Sequence, residues 1–187
     1  MSFAYKPKKP RPPLDDDALL DYAVKSLASK MKSERELHKR LLDRVEPGEQ
    51  GTARALAIIA KLKELGYLSD ERFAADFARL RQENEKLGRR RVQQSLMQRG
   101  IASPIANAAL SAQYDDVDEA ALARQYVERK RLQPPSATDR ELRQRETARI
   151  MRRLLSAGFS SRTVWKVLRE WGGSELEETE IAEETGI

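Results

Sequence analysis

Arg89-Arg90-Arg91 sets three guanidinium groups in a row directly after Gly88, at the expected start of a helix. That end of a helix carries the positive pole of the peptide dipole, so each cation opposes it by about 0.3–1 kcal/mol. A sequence serving stability alone would prefer Asp or Glu there. The chemistry on offer is anion recognition, toward phosphates or toward carboxylates on an acidic protein surface. The competing reading is a solvated charge run, since exposed first-turn charges are tolerated. Arg149, Arg152 and Arg153 form a second basic cluster that would extend the same stripe.

Catalytic groupings are missing. The chain has no cysteine and one histidine, His38, which removes thiolate and multi-histidine metal sites and leaves a His-based triad without partners. No P-loop or dinucleotide glycine pattern occurs. Asp15-Asp16-Asp17 and Asp115-Asp116 fall at expected helix starts, where capping explains them. The expectation is a non-enzymatic protein with no cofactor and no metal.

The elements that must carry the arginines are helices. Gly and Pro are scarce and the chain is highly charged, which fits narrow buried stripes better than a thick core. The longest apolar run, 55–60, is far too short to cross a bilayer, and the N-terminus lacks the apolar core of a secretory signal. Absence of cysteine agrees with a reducing, cytoplasmic setting. The net charge of +5 hides an asymmetry: residues 173–187 hold Glu175, Glu177, Glu178, Glu180, Glu183 and Glu184 with no Lys or Arg, leaving +11 on residues 1–172. Such a body attracts polyanions or acidic proteins.

Along the chain, residues 1–13 form an expected disordered basic arm and 173–187 an expected disordered acidic tail. Between them, a first helix is expected over 16–29. Ser33 to Glu36 reads as a capping box opening a helix that buries Leu37, Leu41, Leu42 and Val45. Pro47, Gly48 and Gly51 break it, and a third helix over 52–65 turns Leu56, Ile59, Leu62 and Leu65 to one side. Gly66 ends that helix, with Tyr67 or Leu68 folding back, and Ser69 or Asp70 caps the next, striped by Phe73, Phe77 and Leu80. Further helices follow at 89–99, from Ser103-Pro104, and from a box at Asp116 to Glu119. The last two start from a box at Thr138 to Glu141 and from Ser160 or Ser161.

These helices repeat. Tyr22 to Leu37 and Phe77 to Val92 are each 15 residues apart, while Tyr126 to Ile150 is 24, with nine extra residues around Pro134-Pro135. A constant shift of 58 matches Val92 with Ile150, Leu96 with Leu154, Gly100 with Gly158, Ile101 with Phe159 and Leu110 with Leu168. Tyr22, Phe77 and Tyr126 therefore read as core positions rather than a base-stacking set, and Tyr67 and Phe73 as core at repeat joints. The fold expected is all-α: three tandem three-helix repeats, over 14–68, 69–114 and 115–172, forming an elongated curved rod whose neighbours share faces.

Ser33-Glu34-Arg35-Glu36-Leu37, the central Gly66-Tyr67-Leu68-Ser69-Asp70-Glu71-Arg72-Phe73-Ala74, Gly88-Arg89-Arg90-Arg91-Val92 and Gly158-Phe159-Ser160 together resemble the RecX family over roughly residues 16–172. Lys30-Met31-Lys32 departs from the Arg-x-Arg common in the family. The resemblance implies a monomeric regulator that docks in the groove of the RecA–DNA filament and restrains filament growth, ATP hydrolysis and strand exchange. Arg89, Arg90, Arg91, Arg149, Arg152 and Arg153, with Tyr67, Asp70 and Arg72 of the central stretch, are the candidate contacts to RecA or to phosphate. Weak non-specific DNA binding is expected as an accessory property, and no membrane contact. The alternative is a helix-turn-helix-like protein acting on DNA directly. Against it, the helix after Gly100 has hardly a side chain able to read bases, and Lys166 and Arg169 are the only long donors in the middle of the helix after Gly158.

Overall fold

The computed structural model describes residues 12–136 and 138–172. The acidic tail and most of the basic arm lie outside the described residues. Nine helices and no strands occur among those described, giving the expected all-α fold. The chain divides into two compact units: one of residues up to Phe73 with 99–101, the other of 74–98 with the residues after Ile101.

The first unit holds α1 (Asp16–Ser29), α2 (Glu34–Leu42), α3 (Glu49–Glu64) and the first turn of α4 (Asp70–Glu85). Asp15 caps α1 by accepting the Ala18 N–H at 2.8 Å. Ser33 and Glu36 form the capping box of α2. Lys32, almost wholly buried, donates to the carbonyls of Ser26 and Lys30 and so closes the C-terminal end of α1. Burial, chiefly, lowers its pKa below the ordinary lysine value. Leu19, Leu37, Leu41, Ile59, Leu62 and Leu68 make the core, a fully buried leucine contributing about 1.5–3 kcal/mol.

The expected stripes are corrected at several positions. Leu42, Leu56 and Leu65 are exposed, and α3 instead buries Gly51, Ala55 and Ile58 beside Ile59 and Leu62. Gly51 does not break a helix; it lies inside α3, where a Cβ would overlap the Glu46 carbonyl oxygen. At Gly51 the Glu46 backbone passes too close for any larger residue. At the Gly66 turn (φ +72°) the residue that folds back is Leu68, while Tyr67 points outward, 64% exposed.

The second unit contains the remainder of α4, then α5 (Arg89–Gln98), α6 (Ser103–Tyr114), α7 (Glu119–Arg129), α8 (Arg140–Ser156) and α9 (Ser161–Gly172). The positions matched by the shift of 58 behave alike: Val92, Leu96, Leu110, Ile150, Leu154, Phe159 and Leu168 are buried. In α4 the stripe runs through Ala74, Phe77 and Ala78, leaving Leu80 exposed; Leu155 of α8 is exposed too. Caps also shift. Asp118, not Asp116, caps α7; Asp139, not Thr138, caps α8; and Ala102 precedes α6, so Ser103 is its first helical residue. The extra residues of the third repeat lengthen α8, which begins seven positions before Thr147, the counterpart of Arg89.

Both units contain one joint of the same design. In the first, Ser33 Oγ at the start of α2 donates to the Arg99 carbonyl at 2.7 Å. In the second, the Gly88 N–H before α5 donates to the Ala157 carbonyl at 2.9 Å. Ser33 and Gly88 are repeat equivalents, as are Arg99 and Ala157. The start of each second helix thus seats on the turn that follows a second helix one repeat further on. Gly158 (φ +96°) permits the backbone approach of the second joint, since a Cβ there would lie 2.3 Å from the Arg91 nitrogen.

Candidate anion-binding site

The arginines at the start of α5 do not act as a set of three. Arg89 is turned onto its own unit, donating from Nη1 to Asp115 Oδ1 at 2.5 Å and from Nη2 to Ser111 Oγ at 3.1 Å. Arg89 is thus tied within its unit at a partly exposed site, where the sequence reading treated the three arginines as one run. Arg90 and Arg91 are exposed. Arg91 donates to Gln94 Oε1 of its own helix, at 3.4 Å.

Arg149, Arg152 and Arg153 are exposed on α8. Their i, i+3, i+4 spacing gives them a common face. Arg152 Nε donates back to the Ala148 carbonyl at 3.2 Å, which leaves the outer guanidinium nitrogens toward solvent. Ala157, which receives the Gly88 N–H, is one helical turn beyond Arg153. The backbone joint thus sets the start of α5, with Arg90 and Arg91, against the turn that ends α8, one helical turn after Arg153.

Glu119 stabilises that joint, a role the sequence reading missed by assigning it to a capping box. Its carboxylate accepts the Ser160 N–H at 2.9 Å, the Ser160 hydroxyl at 2.6 Å and the Thr163 hydroxyl at 2.5 Å. Burial pushes its pKa up, but the donors from Ser160 and Thr163, with Arg90 nearby, outweigh this and hold it below the usual glutamate range. Its contribution to stability is present above the unfolded-state value and is lost as the pH falls through the depressed one. A cleft of about 230 Å³ beside it is lined by Arg89, Tyr114, Val117, Glu119 and Leu122.

The central-stretch candidates belong to the first unit. Tyr67 is exposed; Arg72 is exposed with its guanidinium folded onto the Gly66 carbonyl. Asp70 is not a surface group. It is 9% exposed and accepts the Glu34 N–H at 2.8 Å, capping α2 from another helix, while Ser69 caps α4. Burial raises its pKa above the ordinary aspartate value, with Glu34 and Glu71 adding repulsion. Asp70 and Glu119 occupy the same repeat position, yet their pKa values move in opposite directions: at Asp70 burial, with Glu34 and Glu71, outweighs one donor and the attraction of Lys63, whereas at Glu119 three donors and Arg90 outweigh burial.

Asp70→Ala should cost about 1–3 kcal/mol by stranding the Glu34 N–H, whereas Asp70→Asn keeps an acceptor and should cost little at pH 7. A raised folded-state value means that the folded chain binds the proton more readily than the unfolded one. Wild type should therefore gain stability relative to the Asn variant as the pH falls through that range. Urea titrations of both variants at pH 7 and pH 5 check the sign.

Among the described residues no group of His, Cys, Asp and Glu could hold a metal, and no helix is long and apolar enough to cross a membrane. What the described residues present at this joint is exposed guanidinium groups, whose chemistry is anion recognition.

Comparison with known proteins agrees with the architecture. Residues 69–110 match the family model described as RecX, second three-helix domain. The Regulatory protein RecX of Shigella dysenteriae serotype 1 is 32% identical over 161 residues, covering 82% of this chain and 91% of that protein. The Regulatory protein RecX of Streptomyces coelicolor is 28% identical over 186 residues, covering 100% of this chain and 93% of its own length. The crystal structure of RecX from Lactobacillus salivarius superimposes with a TM-score of 0.59 at 22% identity, over 83% of this chain and 96% of that one. With such identity maintained over nine tenths of a curated relative, the chain belongs to the RecX family of regulatory proteins.

Proposed function

We propose that this protein is a non-enzymatic regulator of the RecA recombinase, binding in the groove of the RecA–DNA filament and restraining filament growth, ATP hydrolysis and strand exchange. Membership of the family supports a role in regulation. The observation that carries the contact is the exposure of Arg90 and Arg91 at a helix start where positive charge opposes the dipole, continued by Arg149, Arg152 and Arg153. Tyr67 and Arg72, exposed on the first unit, supply a second set of contacts. A filament presents identical sites at regular intervals. Repeats joined in the same way can engage successive protomers, and weak contacts then combine through effective concentration.

Added at low ratio to preformed filaments, the purified protein should depress DNA-dependent ATP hydrolysis by RecA while hydrolysing no ATP itself. Unchanged turnover at saturating amounts would sink the proposal. Binding that is as tight to bare DNA as to filaments would favour direct action on DNA.

A further inference from the structure

We propose that Leu42, Met97 and Leu155 form one recurring contact, an apolar side chain set beside polar and cationic ones, and that it fits a polymer of a single protein whose every subunit offers an apolar pocket edged by carboxylates. The contact rests on the regulatory reading above and gives it residues and chemistry.

Helices α2, α5 and α8 are the second helices of the repeats. In each, a buried leucine is followed by a large apolar residue that stays in solvent. Leu41, Leu96 and Leu154 are fully buried, while Leu42, Met97 and Leu155 are 41%, 50% and 39% exposed. The three occupy one repeat position. Leu42 and Met97 are 55 residues apart, as are Leu37 and Val92; Met97 and Leu155 are 58 apart, as are Val92 and Ile150. A lone exposed apolar residue is ordinary on a protein surface. Recurrence at one position is not: Val24 and Leu80, exposed on the first helices, have Arg79 and Lys25 at the matching places.

Helical spacing fixes what lies beside each of them. The residues seven and three positions earlier share its face: Arg35 and Lys39 on α2, Arg90 and Gln94 on α5, Ala148 and Arg152 on α8, all exposed. On each helix this face is turned from the core residues, Val92 and Leu96 in the case of α5. Cations select anions, carboxylates among them. A half-exposed leucine or methionine selects an apolar hollow, which a folded protein offers and a phosphate backbone does not. One such contact per repeat matches a partner that itself repeats, and weak contacts made together combine through effective concentration.

Leu42→Gln, Met97→Gln and Leu155→Gln, singly and together in the full chain, test the contact against Val24→Gln and Leu80→Gln. Glutamine is a good helix former and the replaced side chains are half in solvent, so melting should hardly change. Binding to RecA filaments on DNA should weaken about 3- to 10-fold for each of the three, because the exposed part of the side chain no longer gains burial. The losses should multiply in the triple variant, since the sites share no side chain. Affinity for bare DNA should stay, as no charge is removed. The Val24 and Leu80 variants should bind filaments as wild type does. A triple variant that binds filaments like wild type overturns the proposal and leaves the regulatory reading standing. So does an equal loss from Val24→Gln and Leu80→Gln, or an equal loss on bare DNA. Wild type that fails to bind filaments at all overturns both.

Discussion

Phe77→Ala lowers the stability of the fold by about 3–5 kcal/mol, the usual cost of emptying a buried phenylalanine site. Phe77 is 8% exposed on α4, flanked on its helix by the fully buried Ala74 and Ala78. Alanines on the same stripe have only a methyl group, which cannot reach into the void, so little of the lost contact is recovered. One face of the ring carries the Arg81 guanidinium, 4.7 Å from its centroid, and the repeat-equivalent Tyr126 carries Lys130 at 5.8 Å. In the first repeat Tyr22 is covered by Arg44 at 5.2 Å, supplied from beyond α2 rather than from one turn along. Losing the ring therefore removes apolar area together with a cation–π contact of about 0.5–1 kcal/mol at a partly exposed site. Urea and thermal unfolding measure the loss, and for a chain of this size each kcal/mol lowers the melting temperature by about 2–4 °C. Unchanged melting with lost filament binding would transfer Phe77 from the core to an interface.

Replacing Arg90 and Arg91 together by Ala weakens binding to RecA filaments by about 10- to 100-fold, with stability nearly unchanged. The binding loss follows from hydrogen bonds to charged groups, of about 1.5–3 kcal/mol in general; at exposed side chains the low end applies, roughly tenfold in affinity each. Stability is spared because both side chains are exposed and oppose the dipole of α5, although the attraction of Arg90 to Glu119 offsets part of that relief. Arg89 is left in place. Its bond to Asp115 joins two partly exposed side chains and contributes at most about 1 kcal/mol, but removing it would confound a structural loss with a contact. Salt separates the two kinds of anion. Where the arginines meet phosphates, each lost contact lowers the slope of log affinity against log salt by about 0.7–0.9. Where they meet carboxylates of RecA, affinity for bare DNA hardly changes while filament binding falls, and this is the expected pattern. Equal losses on DNA and on filaments would favour direct action on DNA, and no loss on either would return the run to a solvated face.

What the sequence determined by itself is the local architecture. The capping box of Ser33 and Glu36, the left-handed glycines at 66, 100 and 158, and the shift that pairs Val92 with Ile150 and Ile101 with Phe159 all appear in the structure. Each depends on residues within a turn or two of one another, or on repetition, and both are written along the chain. Tertiary structure decided which side of each stripe is buried and which charges are used up. Leu42, Leu56, Leu65, Leu80 and Leu155 lie outside while Gly51, Ala55, Ala74 and Ala78 lie inside; at Gly51 the Glu46 backbone passes too close for any side chain, which periodicity does not encode. Asp70 caps a helix 36 positions away, Glu119 holds a turn 41 positions away, and Arg89 finds Asp115 26 positions on. No periodicity encodes such pairings. They exist because an unsatisfied N–H or a buried carboxylate is costly, and only packing brings the group that satisfies it within reach.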